Sequence, residues 1–336
     1  MISIVIPTHN EEVDVIRPLM KSLDDQVGID FEKDIEILIC SDVDHGNFDE
    51  YDFDEYKFIK NRIRKIKSPI KNNIGMNRQA GINNALGEYV FFCDIDDSLF
   101  HYGVLRELRD NIEQTHADVY SCDFVEEVIS PNNNQYILHK FNWIWVFSKA
   151  YKVEFLKKNK IEFNPTLKYH EDTYFNFLVK NCDPDTRSLE EHPCYLWRAR
   201  ENSITRKDSH DYSFSSWDEY IDAVSKAIKH VSVIFNKDCK SEVLALAVNT
   251  YDTLNNKRSE LYRGTEKYEK VERAYYNFIK EFMPIAISGK PMPKLLDNIT
   301  TLFYERKHDF FPDCSWYRHV QILKEKYGQT LDNEKQ

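Results

Sequence analysis

Short apolar runs alternate with helical spacings over the first half of this 336-residue chain, and that alternation restricts the folds open to it. Residues 2–6 (Ile-Ser-Ile-Val-Ile) form a β-branched run stopped by Pro7; residues 35–40 and 89–93 are two more, and 119–124 reads as a fourth. Continuous runs of this length predict strands covered on both faces. Between the first two, Ile16, Leu19, Met20 and Leu23 fall at helical spacing, and residues 77–86 suit a short helix ended by Gly87. Strand, helix, strand in this order predicts a parallel sheet with covering helices, an α/β fold. Ligands of such sheets collect beyond the carboxyl ends of the strands. The polar residues after each run are therefore the first places to look for chemistry.

The pattern changes near residue 210. Trp217, Tyr220, Ile221, Val224, Ile228 and Val231 line one helical face, with Ser216 and Glu219 at capping-box spacing. Residues 243–254, 271–283 and 295–327 also read as helical. Two domains are expected: 1–210, and a helical C-terminal region over 211–336 that binds acceptor or forms a homo-oligomer. Hydrophobic residues at 42% suit a folded chain. The net charge of −11 gives no general attraction to nucleic acid or anionic membrane. No transmembrane segment is expected, because no run of about 18 apolar residues occurs. Seven cysteines without a CxxC pair read as reduced, buried thiols. With no leader-like N-terminus, a cytoplasmic location is expected, with docking at the inner face of the membrane left open.

Residues 42–55 carry seven acids and 57–71 seven bases (Lys57, Lys60, Arg62, Arg64, Lys65, Lys67, Lys71). A solvated loop and helix with internal charge pairing accounts for them. The sharper alternative is a basic grip on an anionic acceptor.

Asp94, Asp96 and Asp97 directly follow the run 89–93. Carboxylates two residues apart at a strand end can converge on one cation, and Mg²⁺ or Mn²⁺ commonly bridges such groups to substrate phosphates. An acidic strand end is also an ordinary polar turn, so the triplet alone is weak.

Its context is specific. Asn73, Gly75, Arg78 and Gly81, then Ala85, Gly87, Glu88 and Tyr89, an apolar strand and Asp94-Ile95-Asp96-Asp97 together resemble the signature of the inverting family 2 glycosyltransferases. The opening residues 2–12, Ser22 with Gln26, and 36–42 resemble that family's first strand, first helix end and second strand. The resemblance covers about residues 1–205 and implies a GT-A catalytic domain (a Rossmann-like nucleotide-diphospho-sugar transferase fold). It implies that Glu171-Asp172 is the catalytic pair, with Asp172 the general base. It also implies a Mn²⁺ or Mg²⁺ ion held chiefly by Asp96 with Asp94, and a nucleotide-sugar donor, UDP-linked by expectation. Donor contacts are expected from Pro7, Thr8, His9, Asn10, Asp42, Arg78, Asp94, Arg198 and Ser203. Trp143 and Trp145 sit at the acceptor side in such a scheme, although buried packing is the commoner fate of tryptophan.

The chain departs from the pattern at Ser41-Asp42-Val43-Asp44, at His9 and at Asn77-Arg78-Gln79, which leaves the nucleobase contacts open. The expected acceptor is a glycan or polymer hydroxyl, of the bacterial surface or teichoic-acid type. Glycosylation of a modified DNA base, nucleotidyl transfer and an inactive glycan-binding module stand as alternatives. A nucleotidyltransferase would need a Gly-rich basic loop after the first strand, and residues 7–12 provide none.

Overall fold

The computed structural model describes residues 1–9, 11–42, 53–129, 134–189, 192–200, 213–256, 259–288 and 315–328. It divides into two compact units, Met1–Ser203 and Ile204–Gln336. The boundary expected at 210 lies outside the described residues.

The first unit opens with strand β1 (Ile2–Thr8), helix α1 (Val13–Asp24), the single turn α2 (Phe31–Asp34) and β2 (Ile35–Ser41). An edge strand β3 (Ile63–Lys67), helix α3 (Ile74–Asn84), β4 (Tyr89–Phe92) and the two-residue β5 (Ser98–Leu99) follow. Next come α4 (Val104–Thr115), β6 (Val119–Cys122), β7 (Phe124–Val128), β8 (Gln135–His139), β9 (Lys149–Lys152) and α5 (Val153–Lys158). Helix α6 (Glu171–Asn181), β10 (Thr186–Leu189) and β11 (Tyr195–Trp197) complete it.

Seven strands form the main sheet in the order β10-β6-β9-β4-β1-β2-β3. β1 pairs in parallel with β2 and β4, while β9 is antiparallel to both β4 and β6. Central position explains why β1 and β2 are buried at every residue and read as unbroken apolar runs. Ile4, Ile6, Ile37, Ile39, Phe91 and Tyr120 pack with Leu19, Leu23, Leu105 and Leu108 of the flanking helices in one core. On the other face α3 lies so close that a Cβ on Gly81 would stand 2.3 Å from a Val5 methyl. A smaller sheet, β5-β11-β7-β8, stands beside the carboxyl end of β4.

Sequence and structure part in two places here, at an edge strand and at the cysteines. Residues 63–67 form an edge strand rather than the expected loop and helix, with half-buried side chains. Three bases of the stretch are ion-paired, Lys60 with Asp54 of the acidic run (3.1 Å), and Arg62 and Arg64 with acids outside that run, Glu32 (3.5 Å) and buried Glu36 (2.6 Å). Residues 43–52 lie outside the described residues. The cysteines are not all reduced: Cys122, ending β6, is joined to Cys194, just before β11, with Cα atoms 5.9 Å apart. A separation of 72 residues hid that pairing from the sequence.

The second unit is helical: α7 (Trp217–Ile234), α8 (Lys240–Asn255), α9 (Glu266–Phe282), the short α10 (Pro284–Ile287) and α11 (Trp316–Tyr327). Buried Trp316 donates its indole N–H to the Tyr275 hydroxyl (2.6 Å), which donates to the Ala247 carbonyl (2.7 Å). Ser216 flanks α7 but makes no side-chain cap. Among the described residues no helix is long and apolar enough to cross a membrane.

Candidate active site

β1, β2 and β4 all run toward one edge of the main sheet, so Thr8, Asp42 and Asp94 arrive at the same rim. Pro7 is buried in β1 against Cys40. The Thr8 hydroxyl donates to Glu11 (2.7 Å), and its carbonyl accepts from the Asn77 amide (2.8 Å). His9 Nδ1 lies 2.7 Å from Asp42 Oδ1, while the other Asp42 oxygen accepts the Asn72 backbone N–H. The Asp42 side chain is fully covered and that of His9 is 50% exposed. The His9 ring is therefore the open member of the pair, with Asp42 behind it. Asn10 and Ser203 lie outside the described residues.

β4 stops at Phe92, so a turn, not strand pleating, brings the acids together; Asp97 N–H donates to the Asp94 carbonyl (3.2 Å). Asp94 and Asp96 are partly open, with side chains 27% and 25% exposed. Asp97 is buried and anchors the turn, accepting from the Tyr195 hydroxyl (2.7 Å) and the Arg198 backbone N–H (2.9 Å). The same hydroxyl accepts the Asp94 N–H (2.9 Å). Arg198 thus acts here through its backbone. Arg200, which the sequence reading passed over, puts Nε 3.3 Å from Asp96. Burial pushes the Asp96 carboxyl above the usual range, Asp94 adds to the rise, and Arg200 opposes it.

The second half of the site is the start of α6. His170, just before it, sits in the left-handed region at φ 56°, an uncommon conformation for a residue with a Cβ. Glu171 is buried beside Gly75, where a Cβ would stand 3.0 Å from the Glu171 side chain. Asp172 is half-buried, and its Oδ1 accepts from the Thr173 N–H (2.7 Å). Burial and then the charge of Glu171 push Asp172 up to about 7, against the pull of Arg78.

Arg78 links the two halves. Its guanidinium is buried and donates to Asp94 (2.7 Å) and to Glu171 (2.7 Å). Burial works against its charge, and the carboxylates of Asp94 and Glu171 more than restore it. Arg78, expected among the donor contacts, is thus a clamp between two carboxylates, with Glu171 at one end and Asp94 at the other. Helix α3 supplies further ties that the sequence reading missed. Asn73 caps it by accepting from Met76 N–H (3.0 Å) and donates to the carbonyls of Pro165 and Leu167 (3.0 and 2.9 Å). Gln79 accepts from Phe163 N–H (2.9 Å). The available signal was a helix with buried polar residues where an apolar stripe belongs.

Among the described residues no cluster of three or more His, Cys, Asp or Glu is arranged to hold a metal. Asp94 and Asp96 nevertheless fit a hard divalent cation of the kind that takes one or two carboxylates and completes its shell with substrate phosphate. Their side chains are partly open, and Asp94 stands near enough to Asp96 to add to the burial-driven rise of its carboxyl, with Arg200 opposing it.

An α/β sheet with an acidic turn at the end of a central strand, faced by a helix that opens on a carboxylate pair, defines a GT-A glycosyltransferase domain. The model of glycosyl transferase family 2 matches residues 3–177, and the chain belongs to that family. Over 297 residues it is 23% identical to poly(ribitol-phosphate) beta-N-acetylglucosaminyltransferase TarP of Staphylococcus aureus, covering 83% of this chain and 87% of TarP. The crystal structure of S. aureus TarS 1–349 in complex with UDP-GlcNAc superposes with a TM-score of 0.65 at 16% identity, covering 98% of this chain and 92% of that one. Mannosyltransferase PcManGT from Pyrobaculum calidifontis, in complex with GDP-Man and Mn²⁺, shares the fold at a TM-score of 0.50 and 11% identity, covering 97% and 86%.

Proposed function

We propose that this glycosyltransferase moves N-acetylglucosamine from UDP-GlcNAc, with inversion, to a hydroxyl of a ribitol-phosphate type polymer. The observation that carries the reading is the Arg78 clamp, which fixes the acidic turn and the Asp172 helix as one site. The donor and acceptor classes draw support from the names of TarP and of the TarS complex. Purified enzyme with UDP-GlcNAc and a synthetic ribitol-phosphate oligomer should release UDP and label the oligomer. Absence of both, under conditions where TarP works, would reject the proposal.

Asp172 takes the proton from the acceptor oxygen as that oxygen attacks the anomeric carbon and UDP departs on the opposite side. A divalent cation held by Asp96 and Asp94 would supply charge neutralisation for the leaving diphosphate. His9, backed by Asp42, covers the base or ribose. Removing metal with EDTA should stop transfer, and Asp96→Ala should weaken donor affinity at least about tenfold in titration calorimetry with Mn²⁺. Full activity in EDTA would eliminate the cation from the scheme.

The raised Asp172 carboxyl gives the pH dependence. The base acts only when ionised, so below about 7 the rate should fall roughly tenfold per pH unit, and above it should level. A rate flat down to the ordinary carboxylate range would exclude an elevated base.

A further inference from the structure

Lys149 is a buried lysine for which the chemistry above has no use. It opens β9, and its ammonium donates to the carbonyls of Trp145 (2.8 Å) and Phe147 (3.4 Å) while lying 5.4 Å from the centre of the Phe141 ring. Asn176 of α6 donates to the carbonyls of Ile144 (3.2 Å) and Trp145 (2.9 Å), and its own oxygen accepts the buried Tyr151 hydroxyl (2.8 Å). Two buried side chains thus tether three carbonyls of one non-strand segment, and both converge on Trp145. Burying an ammonium costs several kcal/mol before compensation, which plain packing of an apolar residue would avoid.

The segment's position gives that cost a purpose. Asn176 lies four residues after Asp172, on the same face of the helix. Asp172 is near enough for its charge to raise the Lys149 pKa against the burial that lowers it. On the other side, Trp145 meets Trp197 (5.5 Å between ring centres), two residues beyond the Tyr195 that holds the acidic turn. The segment therefore bridges the base and the acidic turn. Trp145 packs inward against the core, while Phe141 and Trp143 are partly open and Ile144 is exposed. Aromatic faces suit the C–H faces of polyhydroxylated chains.

We propose that residues 141–147 form a preorganised platform for a polyol or sugar acceptor, and that Lys149 and Asn176 are positioning residues holding it in register with Asp172. The proposal rests on the transferase reading above. Lys149→Met keeps the side chain's length and removes the donors; Asn176→Asp keeps the bond from Tyr151 and removes both donors to the segment. With UDP-GlcNAc and the ribitol-phosphate oligomer, each variant should raise acceptor KM about tenfold or more. Acceptor-free hydrolysis of the donor should stay within about twofold of wild type. Amide hydrogen exchange should quicken over residues 141–147. An unchanged acceptor KM in either folded variant, or donor hydrolysis lost in step with transfer, overturns the positioning role. Unchanged amide exchange in both overturns it whether or not the enzyme accepts this donor, while a wild type inert toward UDP-GlcNAc counts against the proposed function alone.

Discussion

Asp172→Asn is expected to lower the rate of transfer by about 10²- to 10⁴-fold and to leave UDP-GlcNAc affinity within about twofold. The asparagine keeps the size of the side chain and can still accept the Thr173 N–H, so the start of α6 should hold its shape. What is lost is a proton acceptor with a pKa near that of its task. In the wild type, burial and Glu171 raise this carboxyl, whereas the Arg78 guanidinium keeps it from rising further. A variant that binds donor normally and turns over at the wild-type rate would remove Asp172 from the mechanism. Loss of donor binding in parallel would instead assign it a structural part.

Arg78→Met is expected to produce the largest loss of stability of any single change in the site. It leaves Asp94 and buried Glu171 without their shared cation, and removing one partner of a buried pair typically costs about 3–5 kcal/mol. The measurement is the urea midpoint, and the double variant Arg78→Met with Glu171→Gln should recover part of the loss, because one uncompensated charge is then gone. A single variant as stable as wild type would mean that water or rearrangement satisfies both carboxylates. Activity should fall more than donor affinity, since the clamp sets the spacing between base and acidic turn.

The central architecture was legible because the forces that build it leave local marks. β1, β2 and β4 are covered on both faces, so their sequences are unbroken and apolar. β3 and β8 lie at sheet edges with partly or fully open side chains, and Ile-Arg-Lys-Ile-Lys carries no such mark. Helix α3 starts three residues before the expected 77, because its cap is Asn73, whose remaining amide hydrogens bond a loop more than ninety residues away. The acidic turn and the Glu171-Asp172 pair were found as motifs. The roles of Arg78, Tyr195, Arg200 and Lys149 were not, because each depends on a partner brought close only by the folded chain. A buried salt link across 93 residues, such as Arg78 to Glu171, has no signature in either segment alone.

The Cys122–Cys194 bridge bounds a distinct stretch of chain. Between its two ends lie the 141–147 segment, Lys149, Asn176 and the Glu171-Asp172 pair, whereas β1, β2 and the acidic turn lie outside. Closing a ring of this length restricts the unfolded chain by the equivalent of about 4 kcal/mol in the loop-entropy view. That contribution depends on the number of residues enclosed and not on their identity. The enclosed half can therefore exchange residues to suit a different acceptor while the same covalent clasp continues to favour folding, and the donor half need not change with it.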